Sequence, residues 1–280
     1  MVDEANLTIG GSGAILACGA AKLGLRVALC GVVGDDLFGT WVRDAIVARG
    51  VDVRGVTTLE DRPTGITVVL SKPEDRAILT MAGTIAELRL GYVDRELLRV
   101  TRHVHVSSYF MQRALAPDLP DLLDLAHDAG ATTSLDPNWD PSGEWDGGLQ
   151  ELLGRIDVFL PNEMEALRVA RISELPLALE RLHERAGLVV VKRGVHGAVA
   201  FGRGVNAHVP GVLVPTVDTT GAGDGFDAGF LAGFLAGEPI ERSLALGNAC
   251  GALSTRMVGG TDGQPTMEEA MEVIERGSAA

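Results

Sequence analysis

Residues 218–230 read DTTGAGDGFDAGF: two small hydroxyl residues and a glycine turn run into a helix with an acid at its start. The preceding stretch, Gly211 to Val217, is β-rich and the run from Phe226 onward is helix-like, so Gly221, Ala222 and Gly223 fall where a strand is expected to hand over to a helix. Such a junction presents unpaired backbone NH groups. With the positive end of the helix dipole they favour an anion such as phosphate, and glycine lets it approach closely. A carboxylate here, Asp224, repels phosphate unless it has another task, and taking the proton of an attacking hydroxyl is that task. The chemistry implied is phosphoryl transfer to an alcohol. The alternative is a tight turn whose first-turn acid merely suits the dipole.

Other residues could complete such a site. Gly10, Gly11 and Gly13 in IGGSGA precede the helical run AILACGAAKLG and offer a second docking turn, although glycine turns before helices are common. In PNEMEAL, Asn162 and Glu165 stand three apart after a strand. They suit a magnesium hydration shell, because Mg²⁺ takes few direct protein ligands, and equally a helix capping box. In VVVKRGVHGAVAF, Lys192, Gly194 and Gly197 lie in a loop between two strands, which either covers a nucleotide or is a plain hairpin. DPNWD (136–140) lies at a strand end, where ligands bind in α/β proteins. His103 and His105 share a strand face without a third metal ligand, and the chain has no GxSxG elbow or GxxxxGK[ST] loop.

These residues need a scaffold. Short β-branched runs alternate with amphipathic helices, which predicts an α/β fold: a doubly wound, mostly parallel sheet with helices on both faces. Strands are expected at 26–33, 103–107, 132–136, 156–161 and 188–192, and helices at 38–49, 118–129, 163–171 and 174–186. ITVVLS (66–71) and RAILTM (76–81), joined by KPED, predict an antiparallel hairpin suited to a lid or a dimer flap. Gly225, Gly229, Gly233 and Gly237 form a stripe that predicts a helix packed tightly against the sheet.

A chain of 280 residues, 46% hydrophobic, supports one main core, hence a single domain over 1–280. The net charge of -14 argues against nucleic-acid or anionic-membrane partners. Cys18, Cys30 and Cys250 lack ligand spacing and suit a reducing compartment, and the N-terminus lacks a secretory pattern, so a cytoplasmic location is expected.

Taken together, IGGSGA, GAAKLGLRVALCGVVGDDLFG, PTGITVVL, DPN, PNEMEAL, VVVKRGVHGAVAF, DTTGAGDGFDAGF and NACGALSTRMVGG resemble the PfkB-type carbohydrate kinases of the ribokinase-like family over nearly the whole chain. The resemblance implies ATP- and Mg²⁺-dependent phosphorylation of a hydroxyl of a small sugar or sugar acid. Asp224 would be the base and also touch substrate, and Gly221, Ala222 and Gly223 would form the anion hole. Asn162, Lys192, Gly194, Gly197 and Asn248 would serve ATP, Glu165 would serve Mg²⁺ through water, and Gly10 and Gly11 would bind the sugar. Asp218 and Thr220 match part of a monovalent-cation site, which makes K⁺ a candidate. A β-lid from about 6–10 and 60–85 is implied, with a homodimer through it.

The resemblance also implies departures on the substrate side: Ile15 or Leu16 where many members have Asn, Asp140 where they often have Arg, Gly83-Thr84-Ile85 in place of a GAN lid motif, and a first strand expected to be absent. Alternatives are a non-catalytic sugar or nucleotide sensor and a nucleoside kinase. A dinucleotide-dependent dehydrogenase fails because Phe226 replaces the third fingerprint glycine.

Overall fold

The computed structural model describes residues 5–72 and 75–278. The chain opens with α1 (Ser12–Lys22), followed by β1 (Ala28–Gly34), α2 (Leu37–Val47) and β2 (Asp52–Leu59), with β2 parallel to β1 in a two-stranded sheet. The antiparallel hairpin β3 (Ile66–Lys72) and β4 (Asp75–Met81) comes next, and the centre of its turn lies outside the described residues. Then follow α3 (Arg95–Val100), β5 (His103–Ser107), α4 (Leu119–Asp128), β6 (Thr132–Asp136), α5 (Leu149–Leu152), β7 (Val158–Phe159), α6 (Glu163–Ala170), α7 (Leu175–His183) and β8 (Leu188–Lys192). The chain ends with β9 (Ala198–Gly202), β10 (Val205–Val209), α8 (Ala222–Ala236), α9 (Ile240–Ser254) and α10 (Met267–Ser278).

The main sheet has the order β10-β9-β8-β7-β6-β5, parallel from β5 to β8 and antiparallel through β9 and β10. Its middle strands read as unbroken apolar runs because both faces are covered. Phe159, Val189 and Val191 point into one core with Leu119, Leu123 and Leu153, while Val158, Leu188 and Val190 point into another with Phe226, Phe230 and Leu244. Helices therefore lie on both faces, the doubly wound arrangement expected from sequence. Each fully buried large side chain, such as Phe230, contributes about 1.5–3 kcal/mol of apolar burial.

Three local differences from the sequence expectations have physical causes. Residues 211–217 form no strand: the sheet stops at Val209, and Pro210 and Pro215, which lack an NH, leave the segment running outside the ladder. The glycine stripe of α8 faces helix α9 instead of the sheet. A Cβ on Gly229 would stand 2.6 Å from the Leu246 carbonyl and one on Gly233 2.8 Å from Ser243 Oγ, so only glycine allows this approach; the Phe226 ring also packs on α9, 2.8 Å from where a Cβ on Gly247 would lie, and Phe230 joins the core that holds Val158 and Val190. Residues 5–10 form no strand, so β3 and β4 pair only with each other in a two-stranded sheet.

Candidate active site

The predicted residues converge where the parallel strands end and helices α1, α6 and α8 begin, the usual ligand crevice of an open α/β sheet. At the start of α8, Gly221 adopts φ 74°, and a Cβ there would meet Gly260 Cα at 2.8 Å and Ile15 Cγ2 at 3.0 Å. No described side chain caps this end, so its first-turn NH groups have no side-chain acceptor. Asp224 sits in that first turn and is buried. Its burial, helped by the negative charge of Asp136, pushes its carboxyl up to about 7, against the opposing pull of Lys192 and a hydrogen bond with Ser12. A carboxyl poised there exchanges its proton near neutrality, as a general base must.

Beneath the turn lies a cluster of buried charges. Lys192 Nζ donates to Asp136 Oδ2 at 2.9 Å and to both carboxylate oxygens of Asp227 at 3.1 Å, and Asp227 is 0% exposed. Sequence reasoning places Lys192 with the nucleotide, but its ammonium is turned inward onto these two carboxylates. Lys192 holds Asp136 below the usual carboxylate range despite burial, while desolvation and a hydrogen bond to Asp136 raise Asp227. The other Asp136 oxygen accepts the Asn138 NH at 2.8 Å, and Asn138 Nδ2 donates to Ser12 Oγ at 2.8 Å and Ser108 Oγ at 3.1 Å. Asn138 (φ 53°) and Ser108 (φ 54°) both occupy the left-handed region, a strain that clusters at functional sites.

Asn162 and Glu165 do form the capping box of α6: Asn162 Oδ1 accepts the Glu165 NH at 2.9 Å, and Glu165 accepts the Asn162 NH at 2.8 Å and its side-chain amide at 2.6 Å. The box occupies both Glu165 carboxyl oxygens, and burial and then the charge of Asp136 push the group up to about 7. The capping reading of this pair is the one the hydrogen bonds show. On the same side, Gly194 (φ 54°) begins a turn that Gly197 (φ 82°) ends, and a Cβ on Gly197 would lie 2.0 Å from the Val209 carbonyl. Asn248 Nδ2 donates to the carbonyls of Val209 (3.1 Å) and Pro210 (3.0 Å), bracing the same loop from α9.

Asp218 Oδ1 accepts from the Thr220 NH and hydroxyl, and its Oδ2 accepts the Gly259 NH at 2.9 Å, so this pair shapes the loop entering α8. Gly10 and Gly11 lie at the start of α1 with open space before both, and Gly11 requires its φ of 85°. His103 and His105 both bond Ser134 Oγ at 2.7 Å, and among the described residues no cluster of three His, Cys, Asp or Glu forms a metal site. Sequence reasoning missed Ser12, Ser108 and Asp227, and singled out Asn138 only as part of the DPNWD strand-end segment. The DPN turn at a strand end and an acid three residues after Asp224 were the available signals.

The sequence matches the description pfkB family carbohydrate kinase over residues 2–267. It is 35% identical over 253 residues to an ATP-dependent ribose-1-phosphate kinase of Halopiger xanaduensis, covering 88% of this chain and 79% of that one. It is 30% identical over 277 residues to a 2-dehydro-3-deoxygluconokinase of Bacillus subtilis, covering 93% and 85%. Among solved structures, an E. coli protein described as a ribokinase II, in complex with ATP and Mg²⁺, superposes with a TM-score of 0.88 at 28% identity over 98% of this chain and 92% of that one. An adenosine kinase from Sinorhizobium meliloti gives 0.84 at 27% identity over 97% and 83%. With a buried carboxyl at an uncapped helix start and a family match spanning both halves of the crevice, this chain belongs to the pfkB family of carbohydrate kinases.

Proposed function

We propose that the chain transfers a phosphoryl group from ATP to a hydroxyl of a small sugar or sugar acid, with Asp224 accepting the hydroxyl proton. The observation that carries this is Asp224 itself, buried, raised to about 7 and hydrogen-bonded to Ser12, at the mouth of the uncapped α8 turn. ATP with Mg²⁺ supplies the γ-phosphoryl group, and the residues present fit it. The Gly221, Ala222 and Gly223 backbone, open because Gly221 has no side chain, offers NH donors to phosphoryl oxygens as their charge develops. Glu165, held by Asn162, is proposed to face the hydration shell of Mg²⁺. Gly194, Gly197 and Asn248 form the proposed nucleotide wall, and Gly10, Gly11 and Asp224 the acceptor side.

Two finer parts belong to the same proposal. Asp218 and Thr220 would hold a K⁺ ion, which a comparison of turnover in potassium and in lithium salts tests. A second copy of this chain covers the lid: Val68, Val69, Leu70, Ile78, Leu79 and Met81 are exposed on the hairpin, and two strands alone are marginal in water.

The acceptor is defined by experiment. Asp140 turns its buried carboxylate onto the Ser142 hydroxyl and the Trp145 NH. The named relatives act on acceptors of different charge, ribose 1-phosphate and 2-dehydro-3-deoxygluconate by their names. Coupled ADP release measured with pentoses, hexoses, sugar phosphates, keto-deoxy acids and nucleosides decides. Saturable release with a sugar or sugar acid is expected. A preference for nucleosides assigns a nucleoside kinase, and ATP or sugar binding without ADP release assigns a sensor.

A further inference from the structure

Lys192 ends β8 with its side chain buried, which is costly for an ammonium unless it is paired. Its partners belong to two different parts of the crevice: Asp136 ends β6, and Asp227 lies one helical turn beyond Asp224 on α8. Buried ion clusters of this kind are commonly replaceable by apolar side chains without loss of stability, so packing alone gives no reason for a lysine here. We propose that Lys192 is a positioning residue for phosphoryl transfer: its ammonium, gripped by Asp136 and Asp227, fixes the strand turn that carries Asn138 against the helix that carries Asp224.

The hydrogen bonds give two routes from the ammonium to the base. One is direct, through Asp227 on the same helix as Asp224. The other runs through Asp136, whose second oxygen holds the Asn138 NH, and then through the Asn138 amide to Ser12, which hydrogen-bonds Asp224. Asn138 keeps a left-handed φ of 53° on this route, a conformation that persists only where its surroundings enforce it. The ammonium also lies directly below the anion turn, since a Cβ on Gly223 would be 3.7 Å from Nζ. It thus offsets negative charge under the phosphate site from inside the fold, without touching the nucleotide.

The groups facing Asp224 are Asp136 and Lys192 from the strand ends, Glu165 from α6, Ser12 from α1 and Asp227 on its own helix. His105, kept neutral by burial with its value lowered to about 3, faces the Asp136–Lys192 pair. Among these, Lys192 pulls the Asp224 carboxyl downward, so removing it raises the base.

The inference rests on the kinase reading and is tested with Lys192→Met in the full chain. The expected result is a fall in kcat of about 10²-fold, the effect of a roughly 1 Å misplacement, with KM for ATP changed by less than about threefold and the acid limb of kcat moved to higher pH. A rise in KM for ATP with kcat retained would assign Lys192 to nucleotide contact and overturn the proposal. So would an unchanged kcat and acid limb in a folded variant. If Lys192→Met does not fold, Lys192→Met/Asp227→Asn removes both charges of that pair and must show the same loss of kcat; wild-type kcat overturns the proposal. If wild-type protein releases no ADP with any acceptor, the kinase reading fails separately. The positioning claim is then read from the ¹³C titration of the Asp224 carboxyl, which must move upward in the variant and refutes the claim if it does not.

Discussion

Gly221→Ala is the perturbation that most cleanly separates the anion turn from the rest of the fold. An alanine at φ 74° costs about 1–2 kcal/mol in the left-handed region. Its Cβ would also press on Gly260 Cα at 2.8 Å, a backbone atom with no side-chain freedom to yield, which adds about 1–3 kcal/mol. The sum, about 2–5 kcal/mol, lowers Tm by roughly 4–10 °C for a chain of this length. Relief comes from moving the turn, and the turn carries the NH groups proposed to meet the phosphoryl oxygens. Kcat should therefore fall about 10²–10³-fold, the usual effect of losing one such donor. The assay is coupled ADP release beside a thermal melt. Gly91→Ala is the control, because its added Cβ meets nothing within 4 Å in a turn remote from the crevice. A variant that melts early yet keeps wild-type kcat refutes the reasoning, since the turn would then be structural only.

Four further outcomes follow from the same geometry. Because Asp224 must be ionised to accept a proton and is pushed up to about 7, kcat should rise with pH and reach half its maximum near pH 7; a flat profile from pH 5 to 8 contradicts this. The same shift has a stability cost: folded Asp224 and Glu165 hold protons up to about 7, against 3.8 and 4.5 when unfolded, so the folded state binds more protons in between. Stability from these groups thus falls as pH rises through that window, and Asp224→Asn should regain on the order of 2–4 kcal/mol at pH 8 but not at pH 4, measured by denaturant titration. Gly197→Ala forces a Cβ to within 2.0 Å of the Val209 carbonyl and should raise KM for ATP about tenfold or more while sparing KM for the acceptor. Leu79→Glu, at a hairpin position 63% exposed, should turn a dimer into a monomer in sedimentation velocity, and an unchanged sedimentation coefficient rules out the lid as the interface.

Much of the fold was legible because its signals are local. LVVVK and TTSLD read as buried strands and became β8 and β6 over the same residues; the apolar β-branched run of β8 is what a sheet covered on both faces demands, while β6 buries Thr133 and Ser134. The glycine turn before α8 was likewise visible, as only glycine serves a left-handed position in close contact. The failures are non-local. Residues 211–217 have strand-like composition, yet Leu213 is 80% exposed because no neighbouring strand is there to pair with the segment. Lys192 is read outward from its loop, but its orientation is set by carboxylates 56 and 35 residues away in sequence. The pairing of Asn138 with Ser12 was hidden for the same reason, since it joins residues 126 positions apart.

The most direct test of the central claim is Asp224→Asn, which keeps the side chain's size and removes its capacity to take a proton. With the best acceptor from the panel, kcat should drop about 10²–10⁴-fold while ATP binding, followed by calorimetry, stays within about threefold of wild type. Turnover close to wild type in a folded Asp224→Asn protein would contradict the assignment of the base, and with it the proposed mechanism.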